Sequence, residues 1–100
     1  MRLSDFQRQI ILKSAAQNFG QETQVWLFGS RVNDEAKGGD IDLYIEPQTQ
    51  TPSDLIVAKL HFLKELHKKI GEQKIDIVLR RTNTDELPIY RIAKQTGILL

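Results

Sequence analysis

The stretch from residue 27 to residue 46, LFGSRVNDEAKGGDIDLYIE, constrains the fold more than any other part of the chain. An apolar run ends in Gly29-Ser30 and a polar loop follows. Then Ile41, Leu43 and Ile45 alternate with Asp40, Asp42 and Tyr44, the period of a β-strand. Strands disfavour aspartate, and two carboxylates on one strand face repel each other. A chain that keeps them there needs something to compensate the charge.

Two further segments read as strands. QVWLF (24 to 28) is short, apolar and bounded by polar residues and Gly29, which makes Trp26 a core residue. KIDIVL (74 to 79) turns Ile75, Ile77 and Leu79 inward and Asp76 outward beside Lys74 and Val78. Ser4 and Gln7 form a capping box that opens a helix ending at Gly20, with Ile11, Leu12, Ala15, Ala16 and Phe19 on its core stripe. Leu3, Phe6 and Ile10 make a smaller apolar patch opposite, read as wrapping around the core in preference to a docking surface. The segment Thr51-Pro52-Ser53-Asp54 starts a second helix, whose inward stripe is Ile56, Leu60, Leu63, Leu66 and Ile70 and whose stop is Gly71. Asn83-Thr84-Asp85 caps a third, with Pro88 in its first turn, Ile89, Ile92 and Ala93 as its apolar positions, and an end at Gly97. The terminal ILL is a last strand or a packed tail. No repeat or low-complexity linker interrupts the order, and the long loop at 31 to 39 marks a candidate functional segment.

Bulk properties narrow the classes. One hundred residues suit one domain, 1–100, with 40% hydrophobic and 27% charged residues typical of a globular chain. No apolar run approaches the roughly 20 residues of a membrane helix, and MRLSDFQRQI lacks the apolar core of a signal peptide, so no membrane and a cytoplasmic location are expected. The absence of cysteine removes disulfides and thiol nucleophiles. A net charge of +1 gives no electrostatic reason to expect nucleic acid as a partner.

The chemistry rests on Asp40, Asp42 and Asp76. Residues two apart on one strand face lie about 6.5 to 7 Å apart, so Asp40 and Asp42 can converge above the sheet, and Asp76 joins them if the two strands are neighbours. Three ionised carboxylates raise one another's pKa unless divalent cations neutralise them, and hard oxygen donors of this kind suit Mg²⁺. Two ions roughly 3.5 to 4 Å apart would clamp the attacking and leaving oxygens of a phosphoryl displacement. Gly29-Ser30 lets backbone amides and a hydroxyl approach phosphate oxygens. Arg31 either binds a phosphate or pairs with Asp34 or Glu35. Tyr44, on the carboxylate face, either stacks on a base or lies over neighbouring side chains. His61 and His67 lack metal-ligand spacing and read as surface residues. No P-loop is present. Glycosyltransferases also use Asp-x-Asp, but a chain of this length lacks their donor domain.

Gly29-Ser30, Asp40-x-Asp42 and the later Asp76 together resemble the signature of the nucleotidyltransferase superfamily. FGSR and GGDIDL on so short a chain are similar to the minimal nucleotidyltransferases, usually encoded beside a HEPN-domain protein, and the likeness extends over nearly the whole chain to Ala93 and Gly97. The resemblance implies an α/β (α+β) nucleotidyltransferase fold: a small mixed sheet of three to four strands with helices packed on one face. It implies that Gly29 and Ser30 hold the triphosphate of ATP or another nucleoside triphosphate. Asp40 and Asp42 would bind both Mg²⁺ ions, and Asp76 would ligand the catalytic one and help deprotonate an acceptor hydroxyl. In relatives paired with HEPN toxins the acceptor is a toxin tyrosine, and the nucleotidyltransferase is the antitoxin. Many relatives carry Ser or Thr where Gly39 stands here. Polymer synthesis is not expected, since the chain has no room for primer-binding or tRNA-binding domains. The rival expectation is a binding-only antitoxin or subunit that docks on its partner, for instance through Leu3, Phe6 and Ile10. Self-association is left open.

Overall fold

The computed structural model describes residues 1–35, 39–82 and 84–100. Its order is α1 (Asp5–Phe19), β1 (Gln24–Phe28), a single 3-10 turn (Gly29–Val32), β2 (Ile41–Glu46), α2 (Pro52–Ile70), β3 (Ile75–Leu79), α3 (Pro88–Thr96) and β4 (Ile98–Leu99). The strands form one mixed sheet in the order β3-β2-β1-β4. β2 pairs antiparallel with β1 and parallel with β3, and β4, made of the terminal apolar residues, pairs antiparallel with β1.

Local chemistry accounts for the first helix. Ser4 Oγ accepts from the Gln7 amide and Gln7 Oε1 accepts from the Ser4 amide, both at 3.0 Å, which satisfies two helix-end donors reciprocally. The Gly20 amide donates to Ala16 O and closes the other end. Parallel pairing of β2 and β3 requires a long crossover, and α2 supplies it.

Alternation divides the core between the two sheet faces. Val25, Leu27, Ile41, Leu43 and Ile45 pack with Ile11, Ala15 and Phe19 of α1 and Leu55, Phe62 and Leu66 of α2. Trp26, Tyr44, Tyr90 and Ala93 form a second cluster on the opposite face, beneath α3. Thus α1 and α2 share one face while α3 takes the other, which corrects the expectation that the helices all pack on one face. Tyr90 and Ala93 do this, because the opposite face already presents the Trp26 and Tyr44 rings, with centroids 5.3 Å apart and Tyr90 5.8 Å from Tyr44.

Two further expectations need correction. The stripe assigned to α2 holds in its second half, where Leu66 is buried and Leu63 and Ile70 pack on the core, but Ile56 and Leu60 are 65% and 62% exposed. Leu55, Ala58 and Phe62 face inward instead. That face buries Leu55 and Phe62 where the other would bury Ile56 and Leu60, and it adds the edge-on contact of Phe62 with Phe19 at 5.4 Å. The cap assigned to α3 is displaced as well: Leu87 occupies the position before the helix without a side-chain bond, Thr84 Oγ1 donates to Arg81 O, and Asn83 lies outside the described residues. Pro88 sets the start by its fixed φ. On that helix Ile92 is exposed and Tyr90 is buried. The smaller stripe of Leu3, Phe6 and Ile10 wraps around the core as read, since Leu3 and Ile10 join it and Phe6 alone stands out.

The two phases of α2 predict opposite mutational outcomes. Phe62→Ala is expected to cost about 3 to 5 kcal/mol in urea denaturation, and Leu60→Ser to change stability by about 0.5 kcal/mol or less. The reverse order would restore the stripe read from the sequence.

Candidate active site

Two strand pairings assemble the site. In the β1–β2 register Phe28 lies opposite Asp42, so Gly29 and the 3-10 turn follow directly beside that carboxylate. In the β2–β3 register Asp42 and Asp76 are direct partners. Asp40 precedes β2 on the same face. The structure therefore brings Asp40, Asp42 and Asp76 to one end of the sheet, next to the turn that carries Ser30.

Glycine permits the close approach at two points. Gly29 has φ +76°, and a Cβ there would fall inside the contact radius of Asp42 Oδ2. Gly39 has φ +94°, and its missing Cβ leaves the space that Ser30 Oγ occupies. Any larger side chain at 39 would meet that hydroxyl and adopt an unfavourable backbone conformation, which explains why glycine stands here in place of Ser or Thr. Gly38, its neighbour in the sequence, lies outside the described residues.

The carboxylates are under electrostatic load. Burial pushes the Asp42 carboxyl above its ordinary pKa of 3.8, and repulsion from Asp76 and Asp40 with a hydrogen bond toward Asp76 adds to the rise; Lys74 opposes it. Lys74 Nζ stands 3.4 Å from Asp40 Oδ2. Among the described residues no three His, Asp or Glu groups are gathered around one cation position. Drawing Asp40 inward means leaving Lys74, an exposed pair worth about 1 kcal/mol or less. Oxygen-only donors, clustered negative charge and a glycine-lined approach fit a hard divalent cation such as Mg²⁺.

The remaining candidates fall in distinct places. Arg31 does not face Asp34 or Glu35: its Nη1 donates to Arg2 O at 2.9 Å, Nη2 to Gln73 Oε1 at 3.2 Å and Nε to Gly39 O at 3.4 Å. Tyr44 is buried and donates to Glu46 Oε2 at 2.7 Å, so it lies over its neighbours and is closed to a base. His61 is exposed, whereas His67 is partly buried and its Nε2 donates to Gln73 O at 3.0 Å. Arg2, Gln73 and Lys74 complete the surroundings. Lys74 shares the alternation of Asp76 and was legible that way, but no periodicity pointed to Arg2 or Gln73.

A raised folded-state pKa means that the folded protein holds the Asp42 proton more tightly than the unfolded chain. The stabilisation is complete below pH 3.8 and is lost as pH rises through the folded value, so in metal-free buffer stability falls across that window. Asp42→Asn is expected to flatten this part of the curve and to melt no lower than the wild type at neutral pH, read by thermal scans between pH 3.5 and 7.

Comparison with protein families returns a match over residues 11–100 to the family described as Polymerase beta, Nucleotidyltransferase. No curated protein matches the chain significantly.

Proposed function

Because the chain belongs to the polymerase beta nucleotidyltransferase family, we propose that it transfers a nucleoside monophosphate, AMP from ATP, to a hydroxyl in a Mg²⁺-dependent reaction. We further propose that the acceptor is a tyrosine of a HEPN-type toxin, which makes the chain an antitoxin. The direct pairing of Asp42 with Asp76, beside the Gly29-Ser30 turn, carries the transfer reading, and the likeness of FGSR and GGDIDL to the minimal nucleotidyltransferases is what suggests the acceptor.

In the proposed reaction the acceptor oxygen attacks the α-phosphorus, the bond from that phosphorus to the β-phosphate bridge breaks, and pyrophosphate leaves. Asp76 takes the hydroxyl proton. Its place at the exposed edge strand favours this role, since an acceptor approaches there without crossing the sheet. Asp40, Asp42 and Asp76 would hold Mg²⁺, which when bound neutralises charge on the phosphates. Ser30 Oγ and the amides after Gly29 orient the triphosphate. Arg31 serves the same site from behind, holding the turn that meets the nucleotide. Most of the acceleration then comes from positioning and fixed charge.

A second reading has its own support. Ile56, Val57 and Leu60 are all more than half exposed on α2, a group suited to burial under a partner. On that reading the protein neutralises its partner by docking alone.

The two separate in one experiment: the protein, MgCl₂, labelled ATP and the product of the adjacent reading frame, beside the Asp40→Asn, Asp42→Asn double variant. Label on the partner that the double variant abolishes supports transfer, and neutralisation that survives in the variant supports docking. Asp76→Asn is expected to lower transfer by about 100-fold or more, measured as initial rate of label incorporation.

A further inference from the structure

We propose that Arg2 is a positioning residue of the nucleotide site, a role that rests on the transfer reaction proposed above: with Arg31 it holds the Ser30 turn where that turn meets the nucleotide's phosphates. Arg2 precedes the Ser4 cap and lies outside the span matched by the family, 11–100. The segment carrying it is nevertheless anchored, because Leu3 is buried in the core.

Four hydrogen bonds join Arg2 to the turn. The Arg2 amide donates to Arg31 O at 2.8 Å, and Arg31 Nη1 returns a bond to Arg2 O at 2.9 Å. The Arg2 guanidinium adds Nε to Asn33 O and Nη2 to Ser30 O, each at 3.1 Å. The carbonyls of residues 30, 31 and 33 thus all accept from Arg2. A single 3-10 turn has too few bonds of its own to hold one conformation.

Arg31 extends the tie to the other two site segments. It reaches Gly39 O, next to Asp40, and Gln73 Oε1, three residues before Asp76. Gln73 is itself fixed, since His67 donates to its carbonyl and its Nε2 donates to Ile70 O. The segments bearing Ser30, Asp40 and Asp76 therefore meet at one arginine pair. Arg2 Nη2 also lies 3.5 Å from the position a Gly39 Cβ would take, the space filled by Ser30 Oγ, so a cation stands beside the hydroxyl that orients the triphosphate. A lysine keeps that charge but lacks the planar fork whose separate nitrogens reach Ser30 O and Asn33 O at once.

The test uses MgATP as the probe. By calorimetry, Arg2→Ala is expected to weaken MgATP binding about tenfold, and Arg2→Lys by less, about threefold. Hydrogen exchange at the amides of residues 30–33 should quicken in Arg2→Ala while β1 and β2 keep wild-type protection, and the exposed Lys13→Ala should alter neither measurement. Wild-type MgATP affinity in Arg2→Ala, or unchanged exchange at 30–33, overturns the proposal and leaves the transfer reading standing. A wild-type protein that neither binds nor turns over MgATP overturns the transfer reading, and the role of Arg2 in a nucleotide site falls with it even where the turn loosens.

Discussion

The parallel pairing of β2 with β3 is the constraint on which the rest of the site depends. It sets Asp42 against Asp76 in register, residues separated by the whole of α2 in the chain. A slip of one residue would turn Asp76 to the buried face and drive Ile75 and Ile77 out of it. The apolar alternation of both strands resists that slip, so the packing that stabilises the sheet is also what aligns the carboxylates.

Alignment has an electrostatic cost, visible in the raised proton affinity of Asp42. The chain offsets it only in part, with an exposed lysine beside Asp40. Around the carboxylates the backbone is drawn in closely: Gly29 gives way to Asp42, and Gly39 gives way to Ser30. Side chains are thus removed where a phosphate-bearing ligand would approach, while negative charge is left concentrated. This combination suits cation-assisted phosphoryl chemistry and serves the stability of the fold poorly.

Much of this was readable residue by residue. Ser4 and Gln7 marked the start of α1, β1 followed from its short bounded apolar run, and β2 and β3 from alternation. The orientation of α2 was not readable, because Ile56, Leu60 and Phe62 offer competing apolar stripes and the choice between them depends on where the Phe19 ring stands. Tyr44 was ambiguous for a similar reason: its face carries the carboxylates, and only the arrival of α3 with Tyr90 covers it. The start of α3 followed Pro88 over the more conventional polar cap upstream. Arg2 gave no signal, since hydrogen bonds to backbone carbonyls leave no periodic trace.

By itself the sequence determined the period of β2 and β3, the face on which Asp40, Asp42 and Asp76 stand, and the bend at Gly29-Ser30, because those properties arise from bonds between near neighbours. The tertiary structure alone decided that β3 lies beside β2, that α3 closes the face opposite α1 and α2, and that residues 2, 31, 39 and 73 meet behind the site. Those relations join distant segments, and they arise from burying one shared apolar surface and satisfying the polar groups left at its edge.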